Sequence, residues 1–223
     1  MKQLPLPISP APADGFDNLV VGRNAAAVQH LRELGLNRIA VAPVYLWGAV
    51  GTGKTRLLRA LASQQQLDGA RVGWFDAATP LPWVLDEAWR LVLVDDCEAL
   101  DPEQQQAAFA LFVEAGAHGV QWVGAGRWPP VDLKLRDDLR TRLGWGHIFH
   151  LQTLSEPERR AVLRQAADAR GVFLGDEVMD FMLTRFSRDL GSLMELLDLL
   201  DGYALQTQRA LTIPLVKSML ENA

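Results

Sequence analysis

The chain has 223 residues, a formal net charge of −5, and 49% hydrophobic against 22% charged residues, ordinary proportions for one large globular domain or a core domain with a small one. The acidic balance argues against a generally basic nucleic-acid binder, although a local basic patch would be hidden in that sum. Cys97 is the only cysteine, which excludes a disulfide framework or multi-Cys zinc site within one chain; no stretch reaches the ~20 apolar residues of a membrane span and Lys2 precedes no apolar signal run, so a cytoplasmic protein is expected.

Residues 1–15 carry Pro5, Pro7, Pro10, Pro12 and Gly15, which disfavour a helix and predict an extended tail. A helical pattern runs from Asn24 to about Leu34, with Asn24 as a cap and Gly35 as a stop. Val44–Trp47 reads as a short buried strand. It leads into Gly48-Ala49-Val50-Gly51-Thr52-Gly53-Lys54-Thr55, a phosphate-binding loop pattern. Its glycines allow backbone N–H groups to turn inward around phosphate oxygens. Lys54 can reach the β- and γ-phosphates, and the Thr55 hydroxyl can ligate Mg²⁺. Val50, Gly51, Thr52 and Gly53 fill the cradle, and the helix from Arg56 to Gln66 presents its positive N-terminal end to an anion.

Further strands are predicted at Val72–Phe75, Leu91–Val94, Val120–Val123 and Ile148–Leu151, with helices at Pro102–Ala115 and Leu133–Leu143. Apolar strands separated by helices predict an α/β fold with a five-stranded parallel sheet covered on both faces. Leu91–Val94 ends in Asp95-Asp96. A carboxylate at the end of a buried strand, downstream of a phosphate loop, can hold Mg²⁺; that role falls to Asp95, and Asp96 could position a hydrolytic water. After Leu151 only helices follow: Ser155-Glu156-Pro157-Glu158 carries a capping signature and opens one that Gly171 stops. Others are predicted at Asp176–Phe186, Leu190–Gln206 and Pro214–Glu221. The expected domains are a tail (1–15), a nucleotide-binding α/β domain (16–151) and a helical lid (152–223).

These motifs, in this order, resemble AAA+ ATPases, and more narrowly the DnaA/Hda family. Phe16-Asp17-Asn18-Leu19-Val20-Val21-Gly22, followed by Asn24, is similar to the segment preceding that family's nucleotide site, which implies that Val21 and Gly22 touch the nucleotide. Leu139-Arg140-Thr141-Arg142-Leu143-Gly144-Trp145-Gly146 resembles its arginine-finger motif, which implies Arg142 acting in trans on ATP bound to DnaA, with Arg140 a competitor for the role. Gln3-Leu4-Pro5-Leu6-Pro7-Ile8 resembles a sliding-clamp-binding peptide of regulatory members; Gln3 offers an amide, Leu4, Leu6 and Ile8 apolar anchors, and Pro7 pre-extends the chain. The chain stops at Ala223 without the family's DNA-reading domain, so strong direct DNA binding is not expected; Leu211-Thr212-Ile213-Pro214-Leu215-Val216-Lys217 also resembles the regulatory members' ending.

The pattern departs from the family at two places. Gly126 stands where a polar sensor residue is expected, and Gly191 stands at a second sensor position, with Arg188 one turn away as a substitute. Both departures predict good binding of ATP or ADP, ADP as the working ligand, and weak intrinsic hydrolysis. Seven tryptophans and the histidines 30, 118, 147 and 150 read as core or surface residues, not a base-stacking platform or a metal site. The leading expectation is an adapter, tethered to the DNA-loaded clamp, that makes DnaA hydrolyse its ATP and so prevents re-initiation. An autonomous ATPase resembling a helicase loader is the alternative; self-assembly stays open, and a DNA-binding initiator paralogue and a phosphate-loop kinase rank lower.

Overall fold

A computed structural model of the chain describes residues 15–186, 190–207 and 209–221. The tail residues Gln3, Leu4, Leu6, Pro7 and Ile8, and Arg188 in the C-terminal third, lie outside the described residues. The chain divides into two compact units, one ending at Thr153 and the other running from Leu154 onward.

The first unit contains α1 (Ala25–Gly35), β1 (Val44–Trp47), α2 (Lys54–Leu67), β2 (Arg71–Phe75), β3 (Trp89–Val94), α3 (Pro102–Ala117), β4 (Gln121–Gly126), α4 (Asp137–Leu143) and β5 (His147–His150). The five strands form one parallel sheet in the order β2-β3-β4-β1-β5. Strand residues alternate between faces. Leu46, Leu91 and Leu93 pack with Leu31, Leu58 and Leu61 of α1 and α2, while Tyr45, Val92 and Val94 pack with residues of α3 and α4. Both faces are therefore dry, and the central strands can be apolar throughout.

Several local expectations are corrected. Asn24 precedes α1 but does not cap it with its side chain. Its amide instead grips the backbone of Gln152, donating to the carbonyl at 3.0 Å and accepting from the N–H at 2.8 Å. Gly35 lies within α1, and the reversal falls at Asn37, which takes a positive φ of 54°. An Asn tolerates that conformation because its short polar side chain costs little there. The predicted helix over Leu133–Leu143 begins only at Asp137: Leu133 and Leu135 are both buried in a non-helical run, a period of two that fits no helix. β4 extends three residues beyond Val123, because Gly124, Ala125 and Gly126 continue its pairing with β1. The link from β2 to β3 carries no helix and buries Trp83 and Leu85 in the core instead.

The second unit contains α5 (Glu156–Ala169), α6 (Asp176–Arg185), α7 (Leu190–Thr207) and α8 (Ile213–Glu221) around a core that includes Leu163, Met179, Met182, Leu193, Leu197 and Val216. At the start of α5 the Glu158 carboxylate accepts from the Ser155 N–H at 2.6 Å and from its hydroxyl at 2.7 Å. Gly171 ends the helix with a φ of 70°. No helix among the described residues is long and apolar enough to cross a membrane.

Candidate functional site

The carboxyl ends of β1, β3 and β4 meet at one edge of the sheet, and the chemically equipped residues collect there. The loop leaving β1 is tied to β4 by the Gly48 N–H, which donates to the Gly126 carbonyl at 3.2 Å. A Cβ at position 48 would collide with the Leu151 carbonyl, so this close crossing requires glycine. Gly51 and Gly53 take φ of 79° and 92°, the left-handed region that turns N–H groups inward. Thr52 pins the turn through its hydroxyl, which donates to the Ala49 carbonyl at 2.9 Å. Val50, at the tip, is exposed.

Lys54 opens α2 and is only 7% exposed. Its ammonium donates to the carbonyls of Gly48 at 2.9 Å and Ala49 at 3.2 Å. A buried cation hydrogen-bonded to loop carbonyls at the start of a helix is suited to an oxyanion ligand. Arg56 is half-buried in the same first turn.

Asp95, 5% exposed, ends β3 beside this loop. Burial raises its pKa, opposed by a hydrogen bond from the Thr55 hydroxyl and by the nearby Lys54 charge. Thr55 and Asp95 thus bring a hydroxyl and a carboxylate together, the oxygen donor set a hard divalent cation takes. Asp96 holds a strained positive φ of 45°. Its N–H donates to the Asp95 carboxylate at 3.0 Å, and the residue itself is exposed.

Val21 packs on the apolar cluster that includes Leu57 and Leu58 of α2, and Gly22 follows it with a φ of 53°. Gly191 is the second residue of α7 and is exposed.

The end of β4 is filled where a sensor side chain is expected. A Cβ on Gly126 would collide with the Tyr45 hydroxyl and come within 2.9 Å of the Glu98 carboxylate. Tyr45 is 1% exposed and donates to the Trp128 carbonyl at 3.1 Å, while Glu98 accepts from the Arg127 N–H at 3.0 Å. Burial, with Cys97 and Glu98 nearby, raises the Tyr45 pKa, so the hydroxyl stays protonated. The sequence reading missed Tyr45 and Glu98; glycine at the end of β4 was the signal that something else fills the space.

At the far end of α4 the two candidate arginines differ. Arg140 is paired with Asp137 at 2.8 Å. Arg142 instead lies over the ring of Trp145, 3.7 Å from its centroid.

The family model described as "Hda, lid domain" matches residues 156–220. An uncharacterized protein of Haemophilus influenzae is 34% identical over 98% of both chains. Among solved structures, domain III of the Thermotoga maritima replication initiation protein DnaA superposes with a TM-score of 0.80, at 23% identity over 96% of this chain and 98% of that one. AMPPCP-bound DnaA from Aquifex aeolicus matches with a TM-score of 0.69, at 22% identity over 85% of this chain and 65% of that one.

Proposed function

The chain belongs to the DnaA/Hda family and has its AAA+ fold, a five-stranded parallel sheet followed by a helical lid, and on that premise we propose that it is a regulator of replication initiation. In this reading it binds ADP or ATP and makes DnaA hydrolyse its own ATP. The observation that carries it is the contrast between a complete phosphate loop and a filled sensor place at Gly126, on a chain that also presents Arg142. Such a chain is equipped to hold a nucleotide and to act on a partner's.

The backbone N–H groups of Gly51, Thr52 and Gly53 and the Lys54 ammonium would cradle the phosphates. Lys54 would leave the loop carbonyls for the β- and γ-oxygens, and Val21 and Gly22 would flank the base and sugar. Thr55 and Asp95 fit a Mg²⁺ ion, which when bound supplies charge neutralisation between the phosphates. Asp96 would orient water, with Arg188 as a substitute sensor on the lid side. Arg142 would reach the γ-phosphoryl of ATP on a neighbouring DnaA, where a planar guanidinium stabilises developing charge and is worth ~10³–10⁵ in rate. Gln3, Leu4, Leu6, Pro7 and Ile8 would dock on the sliding clamp, confining the activity to DNA on which replication has begun.

The test is ATP hydrolysis by the cognate DnaA with DNA-loaded clamp, with and without this protein. Stimulation is expected with wild type. Arg142→Ala should remove nearly all of it, and Gln3→Ala should remove its dependence on the clamp. A wild-type protein that stimulates nothing yet hydrolyses ATP rapidly alone would instead be an autonomous AAA+ ATPase.

A further inference from the structure

Trp145 is 61% exposed, yet its ring faces a charge. The Arg142 guanidinium lies over it, with Cζ 3.7 Å from the ring centroid. The backbone enforces the pairing. Gly144 N–H donates to the Thr141 carbonyl and Trp145 N–H to the Arg142 carbonyl, each at 3.1 Å, closing the last turn of α4. The next residue, Gly146, passes so close to the Pro43 carbonyl that no Cβ fits, and His147 N–H then donates to that carbonyl at 2.9 Å to start β5. Trp145 is thus held on both sides, and its ring stands over the residue three positions before it.

The partner chosen matters chemically. Arg136 and Arg140, the neighbouring arginines, are engaged by Asp138 and Asp137. A carboxylate neutralises a guanidinium and occupies its N–H donors. Among the described residues, Arg142 has no carboxylate within ion-pair distance. A ring face attracts the cation through its quadrupole and leaves the donors at the guanidinium edge available to phosphate oxygens. Stacking therefore fixes orientation without spending charge.

We propose that Trp145 is a positioning residue, a shelf that pre-orients Arg142 for a phosphoryl group on a partner. This rests on the reading of Arg142 as a trans-acting finger. A flexible arginine must be ordered each time it engages, and one already held on a rigid ring loses less freedom in doing so. The effect belongs in the stimulated rate and not in the docking of the two proteins.

The experiment measures ATP turnover by cognate DnaA against the concentration of wild type, Trp145→Ala and Trp145→Phe, beside NMR of the Arg142 side chain. Exposed cation–π stacking predicts a roughly two- to fivefold lower maximal rate for Trp145→Ala, at an unchanged half-maximal concentration, with Trp145→Phe recovering most of it. The Arg142 side-chain protons should be shifted upfield in wild type and lose that shift in Trp145→Ala. An unshifted Arg142 in wild type overturns the shelf. So does a Trp145→Phe variant as defective as Trp145→Ala, an unchanged maximal rate, or a change confined to the half-maximal concentration, which would make Trp145 a simple interface contact. If wild type stimulates nothing, the regulatory reading falls and the shelf falls with it.

Discussion

The carboxyl ends of β1 and β4 lie side by side and have been built in opposite ways. At the end of β1 the backbone opens: glycines at 48, 51 and 53 curl a loop around space, with the Lys54 ammonium turned onto carbonyls it can leave. At the end of β4 the space is closed: Gly126 contributes no side chain, and the Tyr45 hydroxyl and Glu98 carboxylate occupy its surroundings. The same amino acid therefore does contrary work, making room for a ligand at one strand and for a neighbour's side chain at the next. In the proposed reading, binding a phosphate and responding to its hydrolysis are separable tasks, carried by different strand ends. The largest expected effect tests that end. Lys54→Ala should weaken ADP binding by roughly 10- to 150-fold, since a charge-assisted contact is worth ~1.5–3 kcal/mol. Titration calorimetry with ADP measures it, and an unchanged affinity would break the contrast at its open end.

The closed end is tested by forcing it. Gly126→Ala should lower stability by about 1–3 kcal/mol, the ordinary cost of overpacking a filled site. The Tyr45 ring is packed in the core and its hydroxyl is bonded, so it cannot swing away cheaply. Tyr45→Phe removes the colliding atom and leaves Cζ, 3.2 Å from the added methyl. In that background the Gly126→Ala penalty should shrink by about 1 kcal/mol, a coupling that denaturant melts of the four proteins would read. Additive penalties would mean that the collision is relieved elsewhere.

How much of this was legible beforehand differs between the two ends for a physical reason. The phosphate loop is a local device: its spacing along the chain dictates its chemistry, so residues 48–55 and the carboxylate ending β3 announce themselves. The five parallel strands were legible for a related reason, since burial on both faces leaves apolar runs that need no alternation. What fills the space at Gly126 depends on β1 lying beside β4, a long-range pairing that puts Tyr45 opposite Gly124. No spacing rule carries that. Asn24 makes the same point: it looks like a helix cap in sequence, and its amide is instead spent on the backbone of Gln152. Trp145 lay within a motif already singled out, but its stacking on Arg142 depends on how α4 ends.

A smaller effect separates stability from binding within the open end. Burial raises the Asp95 pKa, so the folded protein holds that proton more tightly than the unfolded chain does. Stability from this group is therefore present at low pH and is lost as pH rises from about 3.9, the unfolded value, through the raised folded value. Near neutral pH the carboxylate is a net cost to the free protein. Asp95→Asn should raise the melting temperature without ligand at pH 7 and abolish any further gain from adding Mg²⁺ with nucleotide. Thermal melts with and without Mg²⁺–ADP check both signs. A fall in the ligand-free melting temperature would show that the Thr55 hydrogen bond outweighs desolvation.

The smallest effect lies at the opposite end of the strands, and so tests whether the contrast is local. His147 starts β5 and pairs with Val44, at the end of the sheet away from the phosphate loop. Its ring lies 4.3 Å from that of His30 on α1, and Phe149 covers His30 at 5.1 Å. Burial, and secondarily the His147 charge, lower the His30 pKa below its ordinary value. The unfolded chain accepts this proton near pH 6.5 while the folded chain accepts it only at lower pH, so between those two values the unfolded state binds more protons. Stability should therefore decline as pH falls below about 6.5 and level off once the folded His30 is also protonated. Melting temperatures from pH 7.5 to 5.5 should show this decline in wild type and a flatter profile in His30→Gln. His147→Gln should flatten it less, because burial is the larger cause and remains. ADP affinity should differ little between wild type and His30→Gln across the same range, since neither imidazole belongs to the phosphate loop. A parallel loss of affinity that His30→Gln prevents would mean that the two ends of β1 are mechanically coupled, and that the open end owes its shape to the packing of α1 on β5.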